Sequence, residues 1–145
     1  MKKIIIGKKN KNIKYNFRET CFGIVYKEGK FYMTEKLGEP SIIGGGIEPG
    51  ESHIEGLKRE FLEEAGLTIQ DYKEFITIDC FWHTRDGKNM ESLANFYIVK
   101  VNNTIKKPTE KESKLIKVDV SNIKKILELP YQKKAIELFL AKYIK

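Results

Sequence analysis

The segment Gly45–Leu67, GGIEPGESHIEGLKREFLEEAGL, constrains this chain more than any other, because it sets Glu60, Glu63 and Glu64 on one side of a short helix behind a run of glycines. Side chains mark the ends of that helix. Ser52 followed three residues later by Glu55 predicts a capping box, the hydroxyl accepting from an orphan backbone N–H and the carboxylate reaching back to the cap. Gly66 supplies the left-handed residue that ends the helix, with Leu67 placed to touch Leu62 across the closing turn. At roughly 100° per residue, Ile54, Leu57, Phe61 and Ala65 form an apolar stripe, and the three glutamates take the adjacent arc together with His53 and Gly56.

Local stability rules oppose this clustering. Two of the carboxylates fall in the last turn, where the helix dipole is negative and a cation would be favoured. At separations near ~6 Å and an effective dielectric near ~20, each pair repels by roughly 3 kcal/mol. A divalent cation reverses that sign, and hard cations prefer carboxylate and carbonyl oxygen. The plainer reading is a solvated charged face, aided by the Arg59–Glu63 pair four residues apart. His53 reads as an exposed helix residue, since imidazole is a softer ligand than such a site calls for. Gly56 is expected to leave room beside whatever binds the acidic arc.

The spacing Gly45, five residues, Glu51, seven residues, then Arg59-Glu60-Phe61-Leu62-Glu63-Glu64-Ala65-Gly66-Leu67 resembles the Nudix box at every specified position. The preceding Ile42-Ile43-Gly44-Gly45 is similar to the family's approach to the box, except that Ile43 stands where proline is usual. The remainder of the chain resembles the family only in its order of elements. The resemblance implies a hydrolase for a nucleoside diphosphate linked to another group, cleaving the pyrophosphate with Mg²⁺ or Mn²⁺. Glu60, Glu63 and Glu64 would be metal ligands, Glu60 also a base for the attacking water, and Gly44 would lend its backbone carbonyl. Arg59 would orient Glu63 or Glu60, and Glu51 would brace the loop, with Gly45 and Gly66 as structural glycines. Family members often add a glutamate from a later loop, for which Glu110 and Glu112 are the candidates and Glu91 a third. Subfamily markers for ADP-ribose or dinucleoside polyphosphates are missing where His83 and Thr84 stand. This favours a nucleoside triphosphate, modified or not, releasing a monophosphate. An ADP-ribose or other nucleotide-sugar pyrophosphatase, or a catalytically silent nucleotide-sensing module, is the alternative.

Base recognition wants an aromatic face and a nearby cation. Arg18, just before a strand, and Trp82, at the end of one, are the substrate-binding candidates, with Phe17, Tyr32 and Arg85 behind them. Core packing is the rival role for each aromatic.

The 145 residues suit one domain, 1–145, able to bury roughly two-thirds of its unfolded surface. Cys21 and Cys80 are too few for a disulfide framework and lack metal-type spacing, which points to a reducing cytoplasm. The apolar run in MKKIIIGKKNKNIK is too short for a signal-peptide core or a membrane span. With 27 Lys and Arg against 20 Asp and Glu, the net charge of +7 favours anionic partners. The lysines are scattered, so a small nucleotide fits better than stable nucleic-acid binding, for which only Lys8–Lys14 offers a patch. A monomer and a homodimer are both compatible.

The remaining elements predict an α/β (α+β) chain folded as an α/β/α sandwich around a mixed sheet. Cys21–Tyr26 and Phe31–Thr34 read as a hairpin around Glu28-Gly29. Ser41–Ile43 is a short strand running into the glycines. Phe75–Phe81 and Ser92–Val101 flank the turn Arg85-Asp86-Gly87. Lys114–Val120 follows as a strand, Ser121 caps a short helix, and Tyr131–Ile144 forms an amphipathic helix after Pro130.

Overall fold

The computed structural model describes residues 1–144. Its strands are β1 (Lys3–Ile6), β2 (Asn16–Lys27), β3 (Lys30–Lys36), β4 (Glu39–Gly46), β5 (Leu67–His83), β6 (Asn89–Ile105) and β7 (Ser113–Asp119). Its α-helices are α1 (His53–Glu60), α2 (Ile123–Ile126) and α3 (Pro130–Tyr143), and a π-helical turn, Phe61–Ala65, continues α1.

The strands form one mixed sheet in the order β1-β5-β6-β2-β4-β3-β7. β1 runs parallel to β5 and β2 parallel to β6, while the other pairings are antiparallel. β2 changes partner along its length, pairing Thr20–Gly23 with β4 and then Val25–Lys27 with β3. Side-chain alternation sorts its residues to two faces. Phe22 and Ile24 join Ile78, Phe96, Ala135, Ile136 and Phe139 in the core under α3. Cys21 and Val25 join Ile43, Leu57, Phe61 and Ala65 in the core under α1 and the π-turn. The three-layer arrangement expected from sequence is therefore present, with the acidic helix clamped on one face by fully buried Leu57 and Phe61. Each such side chain stabilises its helix–sheet contact by roughly 1.5–3 kcal/mol.

The elements differ from expectation in informative ways. β5 and β6 are 17 residues each, far longer than Phe75–Phe81 and Ser92–Val101. Register shifts between Leu67 and Ile69, Ile69 and Asp71, and Glu74 and Ile76 break the alternation that would have announced them. β1 was not expected at all; its short isoleucine run pairs in parallel with Thr77–Cys80. Asn122 rather than Ser121 precedes α2, without a side-chain cap bond. α3 starts with Pro130 itself, whose missing N–H is harmless in a first turn.

Candidate active site

The acidic helix begins as its sequence requires. Ser52 Oγ accepts from the Glu55 N–H at 3.1 Å, and Glu55 Oε1 accepts from the Ser52 N–H at 3.0 Å. After Glu60 the α-helix widens into the π-turn, a local geometry that recurs at functional sites. Gly66, at φ 66°, closes it by donating to the Leu62 and Phe61 carbonyls. The regular α-helix expected between Ser52 and Gly66 is thus α over 8 residues and π over the next 5, and Glu63 and Glu64 sit in the widened part.

Arg59 organises the surrounding carboxylates. Its Nε donates to Glu51 Oε2 at 2.6 Å and its Nη2 to Glu51 Oε1 at 2.9 Å, a bidentate pair. Nη2 also donates to the Gly46 carbonyl at 3.1 Å, and Nη1 to Glu60 Oε1 at 2.9 Å and Glu63 Oε2 at 3.2 Å. The Arg59 hydrogen bonds hold the Glu51 carboxyl down at about 2, with the Glu48 N–H adding to the effect. Glu51 also occupies the space that Gly56 leaves free: a Cβ on Gly56 would lie 2.9 Å from Glu51 Oε1. The opening foreseen for a ligand is therefore filled by the brace itself.

Glu60 and Glu64 lie deeper. Glu60 is only 9% exposed. Burial pushes its carboxyl up, Arg59 pulls it back, and Glu63 and Glu110 push it further up. Burial, then the nearby Glu60, push Glu64 up to about 8, with Glu110 adding to the rise and Lys36 opposing it. The Gly44 N–H faces Glu64 Oε1 at 3.4 Å. Gly44 has φ +151°, and a Cβ there would lie 2.1 Å from the Cys21 carbonyl oxygen, so no larger residue fits. Gly45 touches the same cluster, its Cβ position lying 3.0 Å from Glu60 Oε1.

The segment joining β6 to β7 is stitched to the π-turn. The Lys106 N–H donates to the Gly66 carbonyl and the Glu110 N–H to the Glu63 carbonyl, each at 2.8 Å. Ser113 Oγ donates to the Glu64 carbonyl at 2.7 Å. Glu110 is thereby brought to the carboxylate cluster, where its side chain pairs with Lys36 of β3. Glu112, exposed at φ 68°, is not brought there. Glu91 lies on β6 beside Asp79, with Lys3 and Lys9 nearby. Neither Lys36 nor Ser113 was anticipated, and no spacing rule links β3 to residues 110–113.

Among the described residues, no three carboxylate, imidazole or thiolate groups converge closely enough to enclose an ion as they stand. Arg59 holds Glu60 and Glu63, and Lys36 holds Glu110. The donor set is nevertheless suited to a hard cation: all-oxygen, mutually repelling and partly desolvated at Glu60 and Glu64.

A cavity of about 560 Å³ opens beside Glu64, with Arg18, Thr34, Lys36, Ser41 and Glu128 in its walls. The Arg18 guanidinium lies over Gly46, where a Cβ would come within 3.1 Å of Nη2. Trp82 does not line this cavity. Its Nε1 donates to Ser92 Oγ at 2.9 Å and its ring packs 6.2 Å from that of Tyr131, which is the core role. Arg85 is 92% exposed and, among the described residues, pairs with Glu128 at 3.5 Å. A larger cavity, about 740 Å³, lies near Val25, Tyr72 and Lys100, away from the carboxylates and from any of this chemistry.

His53 is not the free surface residue expected. Its Nε2 is hydrogen-bonded with Glu19 Oε2 at 3.0 Å and its Nδ1 with the Tyr97 hydroxyl at 3.2 Å. Asn95 Nδ2 donates to the same Glu19 oxygen at 3.1 Å, so the imidazole anchors α1 to the sheet rather than serving the acidic arc.

Comparison with known proteins places this geometry among relatives. The family model described as the NUDIX domain matches residues 18–140. A NUDIX hydrolase from Nitrosomonas europaea superimposes with a TM-score of 0.69 at 18% identity, over 87% of this chain and 90% of that one. A mutator MutT protein from Bacillus halodurans gives 0.68 at 21% identity, over 83% and 80%. A MutT NUDIX hydrolase from Burkholderia pseudomallei gives 0.65 at 17% identity, over 84% and 97%. At these identities the superpositions establish a shared fold. No curated protein matches the chain by sequence.

Proposed function

This chain belongs to the Nudix domain family, a hydrolase of pyrophosphate bonds, and from that premise we propose that it cleaves a nucleoside triphosphate, modified or not, to a nucleoside monophosphate. The observation that carries the reading is that Glu60, Glu64 and Glu110 lie within electrostatic reach of one another, with Glu64 in the wall of a cavity shared by Arg18 and Lys36.

In this reading Glu60, Glu63 and Glu64 would hold Mg²⁺ or Mn²⁺, with Gly44 contributing a backbone oxygen. A cation bound there would supply neutralisation of pyrophosphate charge and access to hydroxide near neutral pH. Glu60 has one oxygen held by Arg59 and a raised affinity for protons, which suits it to take the proton of the attacking water. Glu110 assists from the segment after β6, which its N–H ties to the Glu63 carbonyl. Arg59 touches no substrate; its five-donor fork fixes the glutamates, while Glu51 fixes Arg59. Arg18, over Gly46 and in the cavity wall, grips phosphate.

The substrate is a small molecule, and its setting is the cytoplasm, as monomer or homodimer. Among the described residues no helix is long and apolar enough to cross a membrane. The test is incubation with a panel of nucleoside triphosphates, ADP-ribose and nucleotide sugars, with Mg²⁺ or Mn²⁺, and assay of phosphate after coupling enzymes. Metal-dependent release of monophosphate and pyrophosphate from a triphosphate is expected. Binding of nucleotides without any product would leave a sensing module instead.

A further inference from the structure

Lys36 ends β3 with its backbone fixed on both sides, in register with Glu39 of β4 and Ser113 of β7. Its side chain is about half exposed, at 49%, and follows a strand that turns at once through Leu37 and Gly38, both at positive φ. Three observations meet at its ammonium group. It pairs with Glu110. It lies within electrostatic reach of Glu64 and Glu60 as well. It lines the same cavity as Arg18 and Glu64. Among the described residues the Lys36 ammonium is held by Glu110 alone, whereas Arg59 is held by bonds to Glu51, Glu60, Glu63 and the Gly46 carbonyl.

A monovalent ammonium and a divalent cation cannot occupy one carboxylate cluster without repulsion. Of the two cationic side chains, only Lys36 can leave, because a four-carbon stem re-aims a point charge without moving the strand beneath it. The cavity it already borders is where a substrate phosphate would await it. Resting on the function proposed above, we propose that Lys36 exchanges partners during the catalytic cycle. Without a cation it holds Glu110 at the cluster; on cation entry it yields Glu110 to the ion and turns onto the substrate's phosphate. Lys36 is thereby both a competitor of the metal and a positioning residue for substrate, two roles with opposite signs.

That opposition makes the test decisive. Calorimetry of the full chain with Mg²⁺ alone, without nucleotide, is compared for wild type and Lys36→Met, and KM is measured for the best triphosphate. Removal of the competing charge should tighten Mg²⁺ binding by about threefold or more. Loss of the phosphate contact should raise KM by about tenfold. Lys36→Arg should restore KM toward wild type. In a Glu110→Gln background, the gain in Mg²⁺ affinity on Lys36→Met should largely vanish, since the shared partner is gone. Lys36→Gln, with far-UV circular dichroism on every variant, controls for a folding defect. Weaker or unchanged Mg²⁺ binding in both Lys36→Met and Lys36→Gln would overturn the exchange, as would an unchanged KM. If wild type takes up no Mg²⁺ with or without nucleotide, the proposed hydrolytic centre fails first, and the exchange falls with it.

Discussion

Replacing Glu64 by glutamine should make the metal-free protein more stable, although it deletes a group assigned to the active centre. Burial and the neighbouring Glu60 raise the Glu64 carboxyl from 4.5 to about 8 in the folded chain. An acid raised in this way folds best when protonated, so its penalty is absent below pH 4.5, grows as pH rises toward 8, and is constant above. The slope has this sign because the folded state binds more protons than the unfolded one across that window. At 1.36 kcal/mol per pH unit, the interval corresponds to a ceiling of about 5 kcal/mol. Glutamine keeps the volume and can accept from the Gly44 N–H, but its own partly unsatisfied amide costs about 2 kcal/mol. A net gain of about 3 kcal/mol remains above pH 8, or roughly 6–12 °C in Tm for a chain of this size. Thermal unfolding followed by circular dichroism in EDTA should show the variant above wild type at pH 9 and below it at pH 4, where the carboxyl's penalty is gone and the cost of the amide remains. Saturating Mg²⁺ should reverse the order at pH 9, because only wild type gains the full binding contribution. Wild type matching or exceeding Glu64→Gln at pH 9 in EDTA would refute the idea that this carboxylate is held at a cost that metal relieves.

Glu60→Gln should fold normally and lower turnover by at least about a hundredfold, read as kcat under saturating metal. Arg59→Lys should lose the bidentate brace, raising the Mg²⁺ requirement and lowering Tm, because a single ammonium cannot replace contacts to Glu51, Glu60, Glu63 and the Gly46 carbonyl at once. Glu110→Gln should slow turnover by about tenfold or more while Glu112→Gln leaves it within about twofold, a contrast that one steady-state assay resolves.

The acidic helix was legible because its information is local. Caps, the apolar stripe and the glycines lie within a few residues of one another, and Ser52, Glu55, Leu57 and Phe61 behave as their spacing implies. What was hidden depends on distant segments. The π-turn packs on the sheet, and its carbonyls accept bonds from Glu110 and Ser113, which lie far along the chain. Lys36 reaches Glu110 across 74 positions of sequence, and no periodicity reports such a pair. His53 looked like a surface residue because Glu19, Asn95 and Tyr97 come together only when β2 and β6 run side by side. Trp82 looked like a stacking platform, yet its indole N–H and ring are engaged by Ser92 and Tyr131. The long β5–β6 pair was foreshortened by bulges that interrupt the alternation on which strand recognition relies.

Two of the three ties between the π-turn and the segment after β6 run from main chain to main chain, and the third asks only for a hydroxyl at Ser113. Such ties are indifferent to neighbouring side chains. The side chains of Lys107, Pro108, Thr109 and Lys111 can therefore vary while the spacing between Glu110 and the acidic turn is kept.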